Sequence, residues 1–258
     1  MSKSLQISSA EILERLILSC QIPSVAKEIV RHQIIDRAVK AEGILVSDRE
    51  LQQAADQFRV KYDLYDPQTT WHWLNKNHLT GDDFERLIYE SIVAAKLVRH
   101  LFDDHVEAFF YERQLDYTQA VLYEVLFTDF DTAIEVFYAI EEEEISFVEV
   151  ARQYIQEPDL RRRYGYRGII SRKAINSAIS AAVFAATPPQ VLKPIAIGQN
   201  IHLILVEEII EPQLDKQLRG QILTELFAAW LEKQLLQYSI KIESELRQVN
   251  SQAEISSS

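Results

Sequence analysis

Through the first 112 residues apolar side chains recur at helical spacing; from Tyr117 onward that pattern gives way to runs suited to a sheet. This break limits the fold more than any other feature of the chain. Before it, Ser8 with Glu11 and Ser47 with Glu50 read as capping boxes, in which side chain and backbone at a helix start satisfy each other's hydrogen bonds. The first box opens a short helix through Leu16-Ile17-Leu18. Pro23 and Ser24 open a second, over about 25–42, which Gly43 closes. A third runs from Ser47 to about Tyr62, where Asp66-Pro67 breaks the pattern. One or two turns over 70–77 carry Trp71 and Trp73, and the longest helix is expected over 82–113. Five helices without a strand make the first half an all-α unit.

Beyond Tyr117, residues 120–127 and 201–206 are apolar and rich in β-prone side chains, and both read as buried strands. Helices are expected over 131–140, 146–154 and 177–186, with 164–170 irregular or strand-like. Pro212 closes this part, and an amphipathic helix over 213–249 precedes a polar tail. The class is therefore α+β, with segments 1–115, 117–211, 212–249 and 250–258.

Charge and cysteine usage narrow the chemistry. A net charge of −12, with Arg161-Arg162-Arg163 as the one basic run, argues against nucleic acid, whose phosphates demand a basic face. That run reads as a solvated loop or as a grip for an acidic group of a bound peptide. Cys20 is the single cysteine, which leaves no intramolecular disulfide and no cysteine metal site. Trp71-His72-Trp73 with His78 reads as core helix, and His100 and His105 are five apart, where zinc pairs on a helix want three or four. Neither metal nor cofactor is expected. The opening segment is interrupted by Glu11, Glu14 and Arg15, and no run reaches 18 uncharged apolar residues. The expectation is a cytoplasmic chain without membrane insertion.

Several phrases resemble the SurA/PrsA-like, PpiC-type parvulin prolyl isomerases. In the helical half these are Gly43-Ile44-Leu45-Val46-Ser47-Asp48 and His78-Leu79-Thr80-Gly81-Asp82-Asp83-Phe84. In the second half Phe147, Val150-Ala151 and Tyr154 resemble the family's phenylalanine–alanine helix, and His202-Leu203-Ile204-Leu205-Val206 resembles its closing histidine strand. Leu218, Ile222, Phe227 and Trp230-Leu231 fit its terminal helix. The resemblance implies an N-terminal helical chaperone domain, a parvulin domain over 117–211, and a C-terminal helix returning to the first domain. It also implies a foldase that binds unfolded or proline-containing polypeptide, in association with an export or peptide-processing complex.

Parvulins are similar in using two facing histidines, a nearby cysteine or aspartate, and an apolar proline pocket. Carried over to this chain, the catalytic positions fall on His202, Glu124 and Tyr166, and the substrate-binding positions on Ile175, Ile179 and Phe184. One histidine of two remains, so weak or absent isomerase activity is expected. Glu124 reads either as a solvent-facing strand residue or as a partner that hydrogen-bonds His202 across the sheet, and His202 either as a structural strand histidine or as part of the site. The acidic stretch Thr128-Asp129-Phe130-Asp131 speaks against phosphorylated substrates. An alternative is a non-catalytic scaffold or adaptor for one partner.

Overall fold

The computed structural model describes residues 5–242, so the expected tail and the end of the expected last helix lie outside the described residues. The chain divides into two compact units, one formed by residues 1–106 and 220–258 and the other by 107–219.

The first unit opens with α1 (Ser9–Leu18), α2 (Ile22–Ala41) and α3 (Asp48–Lys61). The capping boxes at Ser8 and Ser47 form as expected. Next comes α4 (Pro67–Lys76), which starts earlier than its apolar pattern suggests. Asp66 caps it by accepting from the N–H groups of Gln68 and Thr69, and Pro67 sits where a missing N–H costs nothing. Then α5 (Gly81–Phe102) ends short of the expected single helix over 82–113, at a 3₁₀ turn over Asp103–His105, before α6 (Val106–Glu112). Asp103 and Asp104 oppose the negative C-terminal end of one helix and suit the positive start of the next, which favours a break there. Helices α3, α4 and α5 share a core of Ala55, Leu74, Phe84 and Ile88. The Phe58 ring meets Trp73 edge-on at 5.4 Å within the same cluster.

The second unit contains β1 (Gln119–Phe127), α7 (Phe130–Glu141), α8 (Phe147–Tyr154), α9 (Pro158–Arg162) and β2 (Tyr166–Ser171). It continues through α10 (Ser177–Val183), β3 (Gln190–Val191), β4 (Ile195–Ile197) and β5 (Asn200–Ile210). The helix α9 and the strands β3 and β4 are absent from the sequence reading, because elements of five residues or fewer show no period. The sheet is antiparallel in the order β2-β1-β5-β3, with β4 also pairing with β5.

Alternation along β1 and β5 builds a core on each face of the sheet. Val125, Phe127, Ile201 and Leu203 pack against Ala133 and Phe137 of α7 and Phe147 and Val150 of α8. On the opposite face Ala120, Leu122, Ile204 and Val206 pack against Ile179 and Val183 of α10.

The last helix, α11 (Lys216–Leu235), is shorter than the expected span over 213–249. From residue 220 it belongs to the first unit. There Leu231 and Leu235 bury against Ile34 of α2, while Phe227 and Trp230 also pack on the Val39–Val93–Leu97 cluster of α2 and α5. Glu232 reinforces this contact through Lys27 at 3.0 Å and Arg31 at 2.7 Å. The α+β class is thus realised, with the C-terminal helix packed back on the N-terminal helices. Among the described residues no helix is long and apolar enough to cross a membrane.

Candidate functional site

β1 is central, bonded to β2 on one side and β5 on the other, so residues of its α10 face can reach side chains from both neighbours. Glu124 lies on that face, two positions from Leu122. Its register partner on β5 is Ile204, while His202 pairs with Leu126. Glu124 and His202 are therefore diagonal neighbours, a separation that long side chains span. The His202 Nδ1 lies 2.6 Å from Glu124 Oε1, and both side chains are mostly buried, at 16% and 13% exposure.

A third member comes from β2. The β1–β2 register slips between Leu122 and Tyr123, leaving Arg167 as an extra residue opposite neither. The bulge brings its guanidinium onto the other carboxylate oxygen, with Nε 3.2 Å from Glu124 Oε2. Close approach of the strands depends on Gly165. Its carbonyl accepts from the Glu124 N–H at 2.9 Å, and a Cβ on it would lie 2.5 Å from the Glu124 carbonyl oxygen. Glu124 thus has one cationic or imidazole donor on each oxygen. With a guanidinium on one side it is a carboxylate acceptor, so the ring proton shared with it sits on His202 Nδ1 and Nε2 is left as the other polar edge.

Beside this triad is an apolar cavity of about 150 Å³. Leu122, Ile170, Ile175, Ile179 and Ile204 line it, and its polar lining comes from Glu124, Arg167 and Asn176. Ile175 and Ile179, two of the residues named from the resemblance, both line it. Phe184 does not line this cavity. It packs against the same core, with the Arg172 guanidinium 5.0 Å over its ring, because it follows the last turn of α10.

Tyr166 requires a correction. It pairs directly with Tyr123, whose ring packs on the α7–α8 core, and the two ring centroids are 5.2 Å apart. Directly paired residues point the same way, so Tyr166 faces away from Glu124 and His202. Burial, then the charge and hydrogen bond of Glu207, push the Tyr123 phenol above its ordinary value. Arg167 is the residue that sequence reasoning missed. Its signal was the Gly165–Gly168 spacing around it, since both glycines adopt positive φ, as bulged strands often require.

The segment Trp71-His72-Trp73, read as core helix, is core only in part: Trp73 joins the helical core, but Trp71 lies on the outer side of α4 and is 59% exposed. His100 Nε2 lies 3.0 Å from Glu42. No group of three or more His, Cys, Asp or Glu among the described residues could hold a metal ion.

An antiparallel sheet flanked by helices on both faces, whose final long strand carries a histidine near an apolar cavity, has the architecture of a parvulin-type domain. Residues 131–208 match the family model described as Rotamase, the PPIC-type PPIASE domain. Residues 131–208 thus form a PpiC-type domain. It is similar to the peptidylprolyl isomerase PrsA of Bacillus anthracis, with 17% identity, 83% of this chain and 99% of that one covered, and a TM-score of 0.46. PrsA of Bacillus cereus gives 17% identity, 95% and 93% coverage, and 0.48. A SurA-like chaperone structure from Campylobacter jejuni gives 15%, 92% and 96%, and 0.35. No curated protein matches the chain at a significant level.

Proposed function

We propose that this chain is a foldase-family polypeptide holder whose parvulin domain seats proline-containing or unfolded segments in the apolar cavity and isomerises them weakly or not at all. The observation that carries this reading is the cavity walled by Glu124 and Arg167, with the polar groups beside it bonded to one another. Prolyl rotation faces a barrier of about 18–20 kcal/mol from the double-bond character of the C–N bond. Lowering it means favouring the twisted amide, whose nitrogen lone pair is localised and welcomes a donor. Here His202 Nδ1 and Arg167 Nε both face Glu124, so these donors are engaged before any peptide arrives. Apolar walls that shed water on binding a proline ring still supply affinity.

The test is cis/trans exchange in a capped alanine-proline peptide, followed by NMR with wild type and His202→Ala side by side. The expected result is peptide-induced shifts at Ile175 and Ile179 with little or no acceleration. Strong acceleration by wild type that His202→Ala abolishes would overturn the holder reading and establish a rewired isomerase. Cytoplasmic work, and delivery of the client to an export or processing complex, are parts of the same proposal. Fractionation of cells making the full chain, with cross-linking of the retained partners, tests both.

A further inference from the structure

Outside the cavity, the second unit has a hollow of about 360 Å³ lined by Arg152, Arg161, Arg162 and Tyr164. In a chain of net charge −12, such a gathering of guanidinium groups is a local reversal of sign. One of these guanidinium groups, that of Arg162, is already neutralised, and other nearby carboxylates are engaged in helix caps. Asp159 pairs with Arg162 at 2.7 Å, Glu157 accepts from the N–H groups of Asp159 and Leu160 at the start of α9, and Glu149 closes the capping box with Ser146. The Arg161 side chain has neither an ion pair nor a hydrogen bond among the described residues.

Arg152 is held in place. Its guanidinium donates to the Tyr164 hydroxyl at 3.1 Å and lies 5.1 Å from the centroid of the same ring. Tyr164 in turn has φ +55, a left-handed conformation that costs a non-glycine residue about 1–2 kcal/mol. The helix end maintains it, with Tyr164 N–H donating to Arg161 O and Gly165 N–H to Leu160 O. One N–H of Arg152 is used this way, and the remaining donors of Arg152 and Arg161 are free to form the forked contact that an oxyanion accepts. A hydrated point charge would need no such preorganisation. A planar carboxylate gains from it.

We infer that this hollow binds an aspartate or glutamate side chain of the polypeptide whose proline occupies the apolar cavity. The inference rests on the peptide-holding reading above. The hollow is built on the α7–α8 side of the sheet and the cavity on its α10 side. They approach each other at the outer edge, where Tyr164 and the cavity residue Arg167 are three residues apart and their Cα atoms within about 11 Å, so a segment that reaches both passes over β2. Both belong to the entry of the edge strand β2. The client is thus an acidic segment flanking a proline, held at two points.

Two capped alanine-proline peptides test this, one with glutamates three to five residues either side of the proline and a twin with glutamines. Binding to the full chain is measured by calorimetry at fixed ionic strength. The glutamate peptide should bind about tenfold more tightly, as a forked charge-assisted contact implies. Arg152→Gln/Arg161→Gln should erase the difference, while Arg15→Gln/Arg86→Gln, with the same loss of charge at exposed positions of the first unit, should keep it. Equal binding of the two peptides to wild type overturns the inference and leaves the holder reading intact. A preference that survives Arg152→Gln/Arg161→Gln also overturns it. If neither peptide binds, the holder reading itself fails; the anion site is then decided by inorganic phosphate against chloride, read at the Arg152 and Arg161 Nε–H resonances. Shifts specific to phosphate sustain the site, and their absence removes it.

Discussion

Gly165→Ala is expected to loosen the second unit far more than Gly168→Ala, although both glycines lie on the same loop and strand with φ of +83 and +92. An L-residue in that region costs about 1–3 kcal/mol, and both variants bear this strain alike. The added methyl distinguishes them. At Gly168 nothing lies within 4 Å of the new atom, whereas at Gly165 it would lie 2.5 Å from the Glu124 carbonyl oxygen and 3.2 Å from Ile155 Cδ1. A backbone oxygen in the central strand cannot rotate aside, so β2 must retreat, at a cost of about 1–3 kcal/mol for overpacking. That movement also strains the hydrogen bond from Glu124 N–H to Gly165 O, worth about 1 kcal/mol net. The gap between the variants should therefore be about 2–4 kcal/mol. All three tryptophans, Trp71, Trp73 and Trp230, lie in the first unit, so their fluorescence does not report on this region directly. Amide hydrogen exchange at Val125 and Leu203, in the core strands, does. A gap below about 1 kcal/mol would refute the reasoning that Gly165 is required for the approach of β2 to Glu124.

Two further outcomes follow from named contacts. A double-mutant cycle of Glu124→Ala and His202→Ala should give a coupling of about 1–2 kcal/mol in unfolding free energy, since the pair is mostly buried and its removal one side at a time strands a polar group. Coupling near zero would show that the contact does not hold the strands. In the first unit, the hydrogen bond from Lys96, followed by those from Ser47, lowers the Glu50 carboxyl to about 2. A depressed carboxyl stabilises the fold above its unfolded pKa, and that contribution is lost as pH falls from about 4.5 towards 2. Urea midpoints read by tryptophan fluorescence should fall through this window in wild type and fall less in Glu50→Gln; equal slopes would remove Glu50 as a cause.

Features set within one helical turn or one strand are legible in the chain. Ser8, Ser47 and Ser146 satisfy N–H groups within one turn, so their helix starts are legible from four residues, and a run such as Ile201–Val206 is buried in any sheet that holds it. Of the residues named from the resemblance, Glu124, Ile175 and Ile179 line one cavity and His202 contacts Glu124, while what they do there belongs to the proposal. Tertiary structure alone decided how strands meet. A one-residue bulge in β2 sends Arg167 to Glu124 and turns Tyr166 towards Tyr123, and a shift of one residue exchanges the two faces of a strand. The same holds for the Arg152–Arg161–Tyr164 hollow, which gathers residues from α8, α9 and the turn before β2. Their spacing carries no period, and only the left-handed turn at Tyr164 brings them together.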